Sequence, residues 1–171
     1  MRRAIILPVV VLVSIMAAGA VEARDYVLGW GPRAGVTLDP EQVHVGMHFD
    51  LGDIAERVRL QPNVEVGFGD DMILVAINPE VFYLFMPHDR WTPYAGGGLG
   101  INIRSWDDKV VATSNPPRIG KVDETETDIG LNLLGGVETK ISDRTKFFGE
   151  IKFGVGDSPD AKFTVGLTFL K

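Results

Sequence analysis

The feature that most constrains this chain is the alternation of apolar and polar side chains after residue 23. Over residues 162–169 every odd position is apolar and every even position is polar or glycine, and residues 43–50 and 58–68 alternate in the same way. Successive side chains of a β-strand point to opposite faces, so a period of two predicts strands with one apolar and one polar face. No segment carries an apolar stripe at the helical spacing, and we therefore expect an all-β fold.

Eight segments of the sequence are interpreted as strands. Two of them are less regular: 26–36 includes Trp30, Ala34 and Val36 without a clean alternation, and 72–85 is nearly all apolar. Short turns are predicted at 52–53, 87–89 and 142–144, and a long polar loop at 107–126. An even number of antiparallel strands can close into a barrel without free edges, which predicts an eight-stranded antiparallel up-and-down transmembrane β-barrel. The predicted strands are 26–36, 41–50, 56–68, 72–85, 92–105, 127–140, 145–155 and 161–170.

Residues 1–23 are interpreted as a secretory signal peptide. Arg2 and Arg3 precede an apolar run over residues 5–16, and small residues permit cleavage after Ala20 or Ala23. A membrane-anchoring helix is the alternative, but the apolar run is shorter than the roughly 20 residues that a helical span needs. The barrel domain is then expected to be residues 24–171.

Composition and charge exclude several classes of protein. The chain has no cysteine, which excludes disulfides, thiolate metal sites and a cysteine nucleophile. Its net charge of −6 argues against a nucleic-acid partner. His44 and His48 lie four residues apart on one strand face. That spacing puts them roughly 13 Å apart, too far to share a metal, so hydrogen bonding in the interior is expected instead. We expect neither a metal nor a cofactor.

The polar faces of the predicted strands carry charges of both signs. Inside a narrow barrel such charges could neutralise one another in a network, whereas an apolar interior would give a lipocalin-like cup for a ligand. Glycines at Gly96, Gly98 and Gly100 share the polar face and leave room for long side chains. The apolar faces would then contact lipid. The same charged groups could alternatively line a narrow ion pathway. The predicted interior charge network comprises Arg57, Arg59, Glu65, Arg104, Glu138, Glu150 and Lys152.

Aromatic residues lie near the ends of the predicted strands, as in the girdles that mark a membrane–water interface. One rim would hold Phe49, Tyr83, Phe85, Trp91, Tyr94, Phe147 and Phe169, and the other Phe68, Trp106 and Phe163.

Three of the segments resemble strands of a known family. Residues 91–100, Trp-Thr-Pro-Tyr-Ala-Gly-Gly-Gly-Leu-Gly, look like a glycine-rich strand of the small eight-stranded bacterial outer-membrane barrels of the OmpA/OmpX-like family. Residues 148–153 and 163–169 are similar to the last two strands of that family. Leu170 and Lys171 follow Phe169, whereas members of the family usually end on an aromatic residue. The resemblance implies an outer-membrane location, periplasmic termini, an extracellular loop at 107–126 and contact with the outer-membrane assembly machinery.

The sequence therefore predicts a non-enzymatic outer-membrane barrel with a structural or interaction role in the cell envelope. Its lumen would be plugged by charged side chains, its surface would contact outer-membrane lipid, and loop 107–126 would meet any extracellular partner. One alternative is a secreted lipocalin-like carrier of a small apolar ligand. Another is a lipid-modifying barrel enzyme, which would need Ser105 or Ser142 beside a histidine.

Overall fold

A computed structural model describes residues 27–69, 72–87, 90–114, 117–156 and 159–171, with the backbone alone for 107–114 and 117–124. The predicted signal peptide, residues 1–23, lies outside the described residues. No helix long and apolar enough to cross a membrane occurs in the part of the chain that the structure describes. The strands are β1 (Gly29–Leu38), β2 (Glu41–Asp50), β3 (Asp53–Ala55), β4 (Val58–Leu60), β5 (Asn63–Gly69), β6 (Met72–Asn78), β7 (Glu80–Leu84), β8 (Trp91–Ser114), β9 (Pro117–Ser142), β10 (Thr145–Gly156) and β11 (Ala161–Leu170).

These strands form one closed antiparallel barrel with eight strand positions. The hydrogen-bonded order runs β1, β2, β5, β6, β8, β9, β10 and β11, and β11 pairs with β1 to close the sheet. The third position is β4 continued by β5, and the fourth is β6 continued by β7. Prolines at Pro62 and Pro79 interrupt these two positions, because proline has no N–H to donate to a ladder. The predicted all-β, eight-stranded antiparallel barrel is confirmed.

The reversal after β2 differs from the sequence prediction. A turn was expected at Gly52-Asp53, but the chain continues into β3 and reverses at Glu56-Arg57, where Arg57 has a φ of 61°. Gly52 has a φ of 83° and its N–H donates to Asp50 Oδ1 at 2.9 Å. Gly52 therefore makes a local irregularity within a longer hairpin, and the predicted turn was wrong.

The long polar loop predicted at 107–126 is wrong as well. β8 and β9 stay paired to Ser114 and Pro117, with a register shift between Trp106 and Lys109. Valine, isoleucine and threonine recur in this stretch, and these β-branched residues favour strands despite the surrounding charges. β6 pairs with β8 only as far as Trp106, so the outer part of the β8–β9 pair is a two-stranded ribbon. We call this end of the barrel the ribbon end and the opposite end, with Glu56 and Arg144, the turn end.

The two faces of the barrel wall have opposite polarity. Along β11, Lys162 and Thr164 are buried at 4% and 2% exposure, while Phe163 and Val165 are exposed at 44% and 52%. The same alternation holds along β1 and β2, so the apolar set covers the outside and the polar set fills the interior. This distribution is the reverse of the one found in water-soluble domains. Exposed apolar residues of the wall include Val36, Val43, Val45, Met47, Leu99, Ile129, Leu131, Leu133, Ile151, Phe153 and Val155.

Glycines on the inward face make room for large neighbours. A Cβ at Gly136 would lie 2.4 Å from the ring of Tyr94, and one at Gly98 would lie 2.8 Å from Cα of Glu80. The glycines therefore let bulky and charged side chains fill a lumen that eight strands leave narrow.

Candidate functional site in the barrel interior

Six charged side chains meet in the middle of the lumen, and we call them the central network. They are three cations and three carboxylates from five strands, and none is more than 4% exposed. Because the signs balance, the cluster is neutral, which is the condition under which charge can be buried. Its members are Arg33 of β1, Glu65 of β5, Glu80 of β7, Glu150 and Lys152 of β10, and Lys162 of β11.

Arg33 joins two carboxylates across the lumen. Its Nε lies 3.0 Å from Glu65 Oε1, and its Nη2 donates to Glu150 Oε1 at 2.5 Å. Its guanidinium also lies 5.6 Å from the ring centre of Phe148. The rigid fork of a guanidinium suits two acceptors at fixed positions better than a lysine ammonium does. Arg33 thus ties β1 to β5 and β10.

The two lysines complete the central network. Lys152 Nζ lies 2.5 Å from Glu80 Oε1, with Glu65 and Glu150 oxygens at 3.9 and 4.0 Å. Lys162 Nζ donates to Glu65 Oε2 at 2.9 Å. Each carboxylate therefore has at least one cation in direct contact, and the ammonium of Lys152 is central to all three.

Neutral side chains extend the central network to the remaining wall. Asn63 donates to Glu80 Oε2 at 2.7 Å, and Asn78 donates to Asn63 Oδ1 at 2.8 Å. Asn132 donates to Asn78 Oδ1 at 3.0 Å, and the Tyr94 hydroxyl donates to Glu150 Oε2 at 3.1 Å. Buried carboxylates and amides thereby gain the partners that their removal from water requires.

A second group of charges, the mouth cluster, lies at the turn end. Arg59 Nη1 lies 2.9 Å from Glu138 Oε2, and its Nε lies 3.5 Å from Asp50 and 3.6 Å from Asp53. Lys146 Nζ donates to Glu138 Oε1 at 2.8 Å. These side chains close the lumen nearer to solvent than the central network does, since Arg59 is 12% exposed.

Apolar side chains separate the two groups of charges. Phe82, Leu84, Tyr94 and Leu134 form a buried cluster, and the Phe82 and Tyr94 ring centres are 4.6 Å apart. Tyr94 was expected in an aromatic girdle, but it is only 4% exposed. It lies two residues after Thr92 in β8, so both side chains have the same strand parity, that is, they point to the same face, and this face is the lumen. Other predicted girdle residues do lie on the outside, including Phe169, whose ring centre is 5.6 Å from that of Trp30.

The structure places the seven predicted interior residues in four different settings. Glu65, Glu150 and Lys152 belong to the central network, and Arg59 and Glu138 belong to the mouth cluster. Arg104 forms an ion pair with Asp128 towards the ribbon end. Arg57 does not enter the lumen: it lies in the β3–β4 turn, 47% exposed, with Glu56 4.0 Å away. The irregularity at Gly52 moves the reversal of the chain to Arg57, and this takes its side chain out of the wall.

Six charged residues of the two clusters were missed: Arg33, Asp50, Asp53, Glu80, Lys146 and Lys162. Lys162 and Arg33 have the parity of the inward face in their strands, so the alternation could have identified them. Glu80 follows Pro79, where the alternation is interrupted, and no periodic signal marks its direction.

The histidines take part in hydrogen bonds with threonines. His44 lies 3.2 Å from Thr37 Oγ1 and 3.0 Å from Thr164 Oγ1, and His48 lies 2.9 Å from Thr168 Oγ1. His88, the remaining histidine, lies outside the described residues. Within the described ranges no group of histidine and carboxylate ligands could hold a metal ion.

Known structures, but not known sequences, resemble this barrel. No protein-family sequence model matches the chain, and no curated protein sequence matches it. Neisserial surface protein A is similar in structure, with a TM-score of 0.61 and 16% identity over 84% of this chain and 93% of that one. The N-terminal β-barrel domain of Pseudomonas aeruginosa OprF is similar with a TM-score of 0.57 and 13% identity, over 84% of this chain and 97% of that domain. The attachment invasion locus protein Ail of Yersinia pestis is similar with a TM-score of 0.53 and 10% identity, over 82% of this chain and 94% of that one.

The fold is thus that of the small eight-stranded outer-membrane β-barrels. The resemblance that the glycine-rich strand suggested is confirmed for the fold, and identities of 10–16% establish the fold alone.

Proposed function

We propose that the protein is a bacterial outer-membrane β-barrel with a structural or interaction role in the cell envelope and a lumen closed by charged side chains. The observation that carries this proposal is the reversed polarity of the wall, with apolar residues outside and paired charges inside. A bilayer is the solvent in which such an outer surface is stable.

The dimensions of the barrel support the membrane location. β1, β2 and β11 have ten residues each. This agrees with the about 9–11 residues that a tilted membrane-spanning strand needs. Among the described residues, closure pairs each of the eight strand positions on both sides, so the barrel has the paired backbone that a bilayer interior demands. The solved barrels of the same fold support an outer-membrane location, while export by a signal peptide remains a prediction from residues 1–23.

The other two interpretations find less support. A carrier of an apolar ligand needs an apolar cup, whereas ion pairs and amides occupy this lumen. A serine-histidine enzyme needs a serine hydroxyl beside a histidine, and both described histidines contact threonines. We therefore propose a non-catalytic role. Outer-membrane lipid and the assembly machinery are the proposed partners. An extracellular partner would bind the stretch 107–126, whose described residues, 107–114 and 117–126, belong to the β8–β9 ribbon.

We propose that the side chains in the lumen form a plug and do not line an ion pathway. An eight-stranded barrel leaves an interior just wide enough for side chains, and the central network, the apolar cluster and the mouth cluster occupy it at successive depths. An ion crossing this lumen would have to displace paired charges that are at most 4% exposed in the central network.

Planar-bilayer recordings test the plug. The unmodified protein is expected to show no sustained conductance, because its central network is neutral and closely packed. Lys152→Met leaves three carboxylates against two cations in that network, so brief cation-selective openings are expected. Arg57→Gln, which removes an exposed cation of the turn end, is the control and should stay closed. A stable open channel in the unmodified protein would contradict the plug and favour the ion pathway.

A further inference from the structure

The apolar outer wall is not equally tall around the barrel. On the adjacent positions β10, β11, β1 and β2, the outward run of apolar residues and glycine covers nine to eleven residues. On β6 continued by β7, β8 and β9, across the barrel, it covers thirteen, apart from the buried Thr139. We call these the short side and the tall side. The runs are 147–155, 161–169, 28–38 and 43–51 on the short side, and 73–85, 91–103 and 129–141 on the tall side.

These runs translate into different heights along the barrel axis. A strand rises about 3.3 Å per residue, and the strands of a barrel tilt by roughly 35–45° from its axis. A nine-residue run is therefore about 20 Å tall, and a thirteen-residue run is about 30 Å tall. Because the hydrocarbon core of a typical bilayer is about 30 Å thick, the tall side matches it and most of the short side is about 10 Å too low.

Charged residues bound the short side at both ends. Glu41 is exposed at the ribbon end of β2, and Lys171 is exposed at the turn end of β11, where its N–H donates to the Leu28 carbonyl at 3.0 Å. The ladder registers and the common strand tilt place Glu41 at the depth of Ile73 on the tall side, and Lys171 at the depth of Trp91. Charges on the outer face are unfavourable in hydrocarbon. Tilting the whole barrel would immerse one of the two charges as it freed the other, so tilt does not remove the mismatch.

We propose that the bilayer is thinner along the short side, where phospholipids with short acyl chains are bound in preference to those with long ones. A bilayer adapts to a low apolar wall by thinning, and shorter chains reduce the cost of that deformation. The tall side matches the bilayer and exerts no such selection. This inference rests on the proposed membrane location.

Two tryptophans of the chain report on the two sides separately. Trp30 lies in β1 on the short side and is 45% exposed, and Trp91 begins β8 on the tall side and is 51% exposed. Both lie towards the turn end. The chain has three tryptophans, so Trp91→Phe/Trp106→Phe leaves Trp30 alone and Trp30→Phe/Trp106→Phe leaves Trp91 alone. Each variant is reconstituted into mixed vesicles of dimyristoleoyl and dierucoyl phosphatidylcholine, with one or the other lipid brominated.

Fluorescence quenching, scaled to that in each pure brominated lipid, gives the relative binding of the short and the long lipid at each tryptophan. We expect the short-to-long ratio at Trp30 to be at least about two-fold higher than at Trp91, because the cost of mismatch grows with each ångström. Equal ratios at the two tryptophans, or a higher ratio at Trp91, would overturn the proposal.

A pair of variants links the preference to the height of the wall. Glu41→Leu/Lys171→Leu extends the apolar runs of β2 and β11, the strands on either side of Trp30, and should lower the ratio at Trp30 towards that at Trp91. Glu56→Leu/Arg57→Leu removes the same charges from an exposed turn and should leave the ratio unchanged. An equal response to both variants would overturn the proposal. Absence of quenching by either lipid at both tryptophans would instead contradict the membrane location.

Discussion

Replacing Arg33 by alanine is expected to lower the free energy of unfolding by about 3–5 kcal/mol, the usual cost of removing one partner from a buried ion network. Arg33 contacts both Glu65 and Glu150, and it is 2% exposed. Its loss leaves three carboxylates with two lysines, so uncompensated negative charge stays buried. Urea titration of the protein in lipid vesicles, followed by the gel mobility of unheated samples, measures the change.

Two further variants make this prediction specific. Arg57→Ala removes an arginine that is 47% exposed, and it should change stability by no more than about 0.5 kcal/mol. Arg33→Ala combined with Glu150→Ala restores neutrality, and it should cost less than the sum of the two single changes. If Arg33→Ala is as stable as Arg57→Ala, the central network does not stabilise the barrel.

Placing an arginine on the outer wall at Val165 is expected to cost about 2–4 kcal/mol, the cost of a cation at the middle of a bilayer. Val165 lies midway along β11 and is 52% exposed. On a water-soluble protein the same change at such an exposed site would stay within about 0.5 kcal/mol. The same unfolding titration therefore distinguishes lipid from water as the medium around the barrel.

Leu38→Arg is the matched control for depth. Leu38 is 55% exposed, like Val165, but it ends β1 at the rim of the barrel. There the cost should fall to about 0–1 kcal/mol, because the side chain reaches water. Equal costs at the two positions would argue against a bilayer around the wall.

The sequence alone was sufficient for the architecture, because a period of two is a local property that each strand displays on its own. It was insufficient where local signals conflict. Charges and prolines between residues 107 and 126 indicated a loop, yet the β-branched residues there continue both strands as a ribbon. Gly52 looked like a turn residue, but the chain only bends locally there, between β2 and β3, and reverses further on.

The interior site was predictable in kind but not in detail. The alternation along each strand shows which charges face inward, and on that basis Glu65, Glu150 and Lys152 were predicted to lie in the interior. It does not show which charge meets which, because Arg33 and Glu150 are 117 residues apart in sequence and meet only when the barrel closes. Arg57 was assigned to the lumen wrongly, because the alternation was extended to it as though it lay within a strand. The chain reverses at Glu56-Arg57, so Arg57 lies in a turn.

Spin labels on single cysteines test the reversed polarity most directly, because the chain has no cysteine of its own. Labels are placed at the outward positions Val43, Val45 and Val165 and at the rim position Leu38, in vesicles. The account predicts high accessibility to oxygen and low accessibility to a water-soluble nickel reagent at the first three positions, and the reverse at Leu38. High accessibility to the nickel reagent at Val45 and Val165 would place the apolar wall in water and contradict the account.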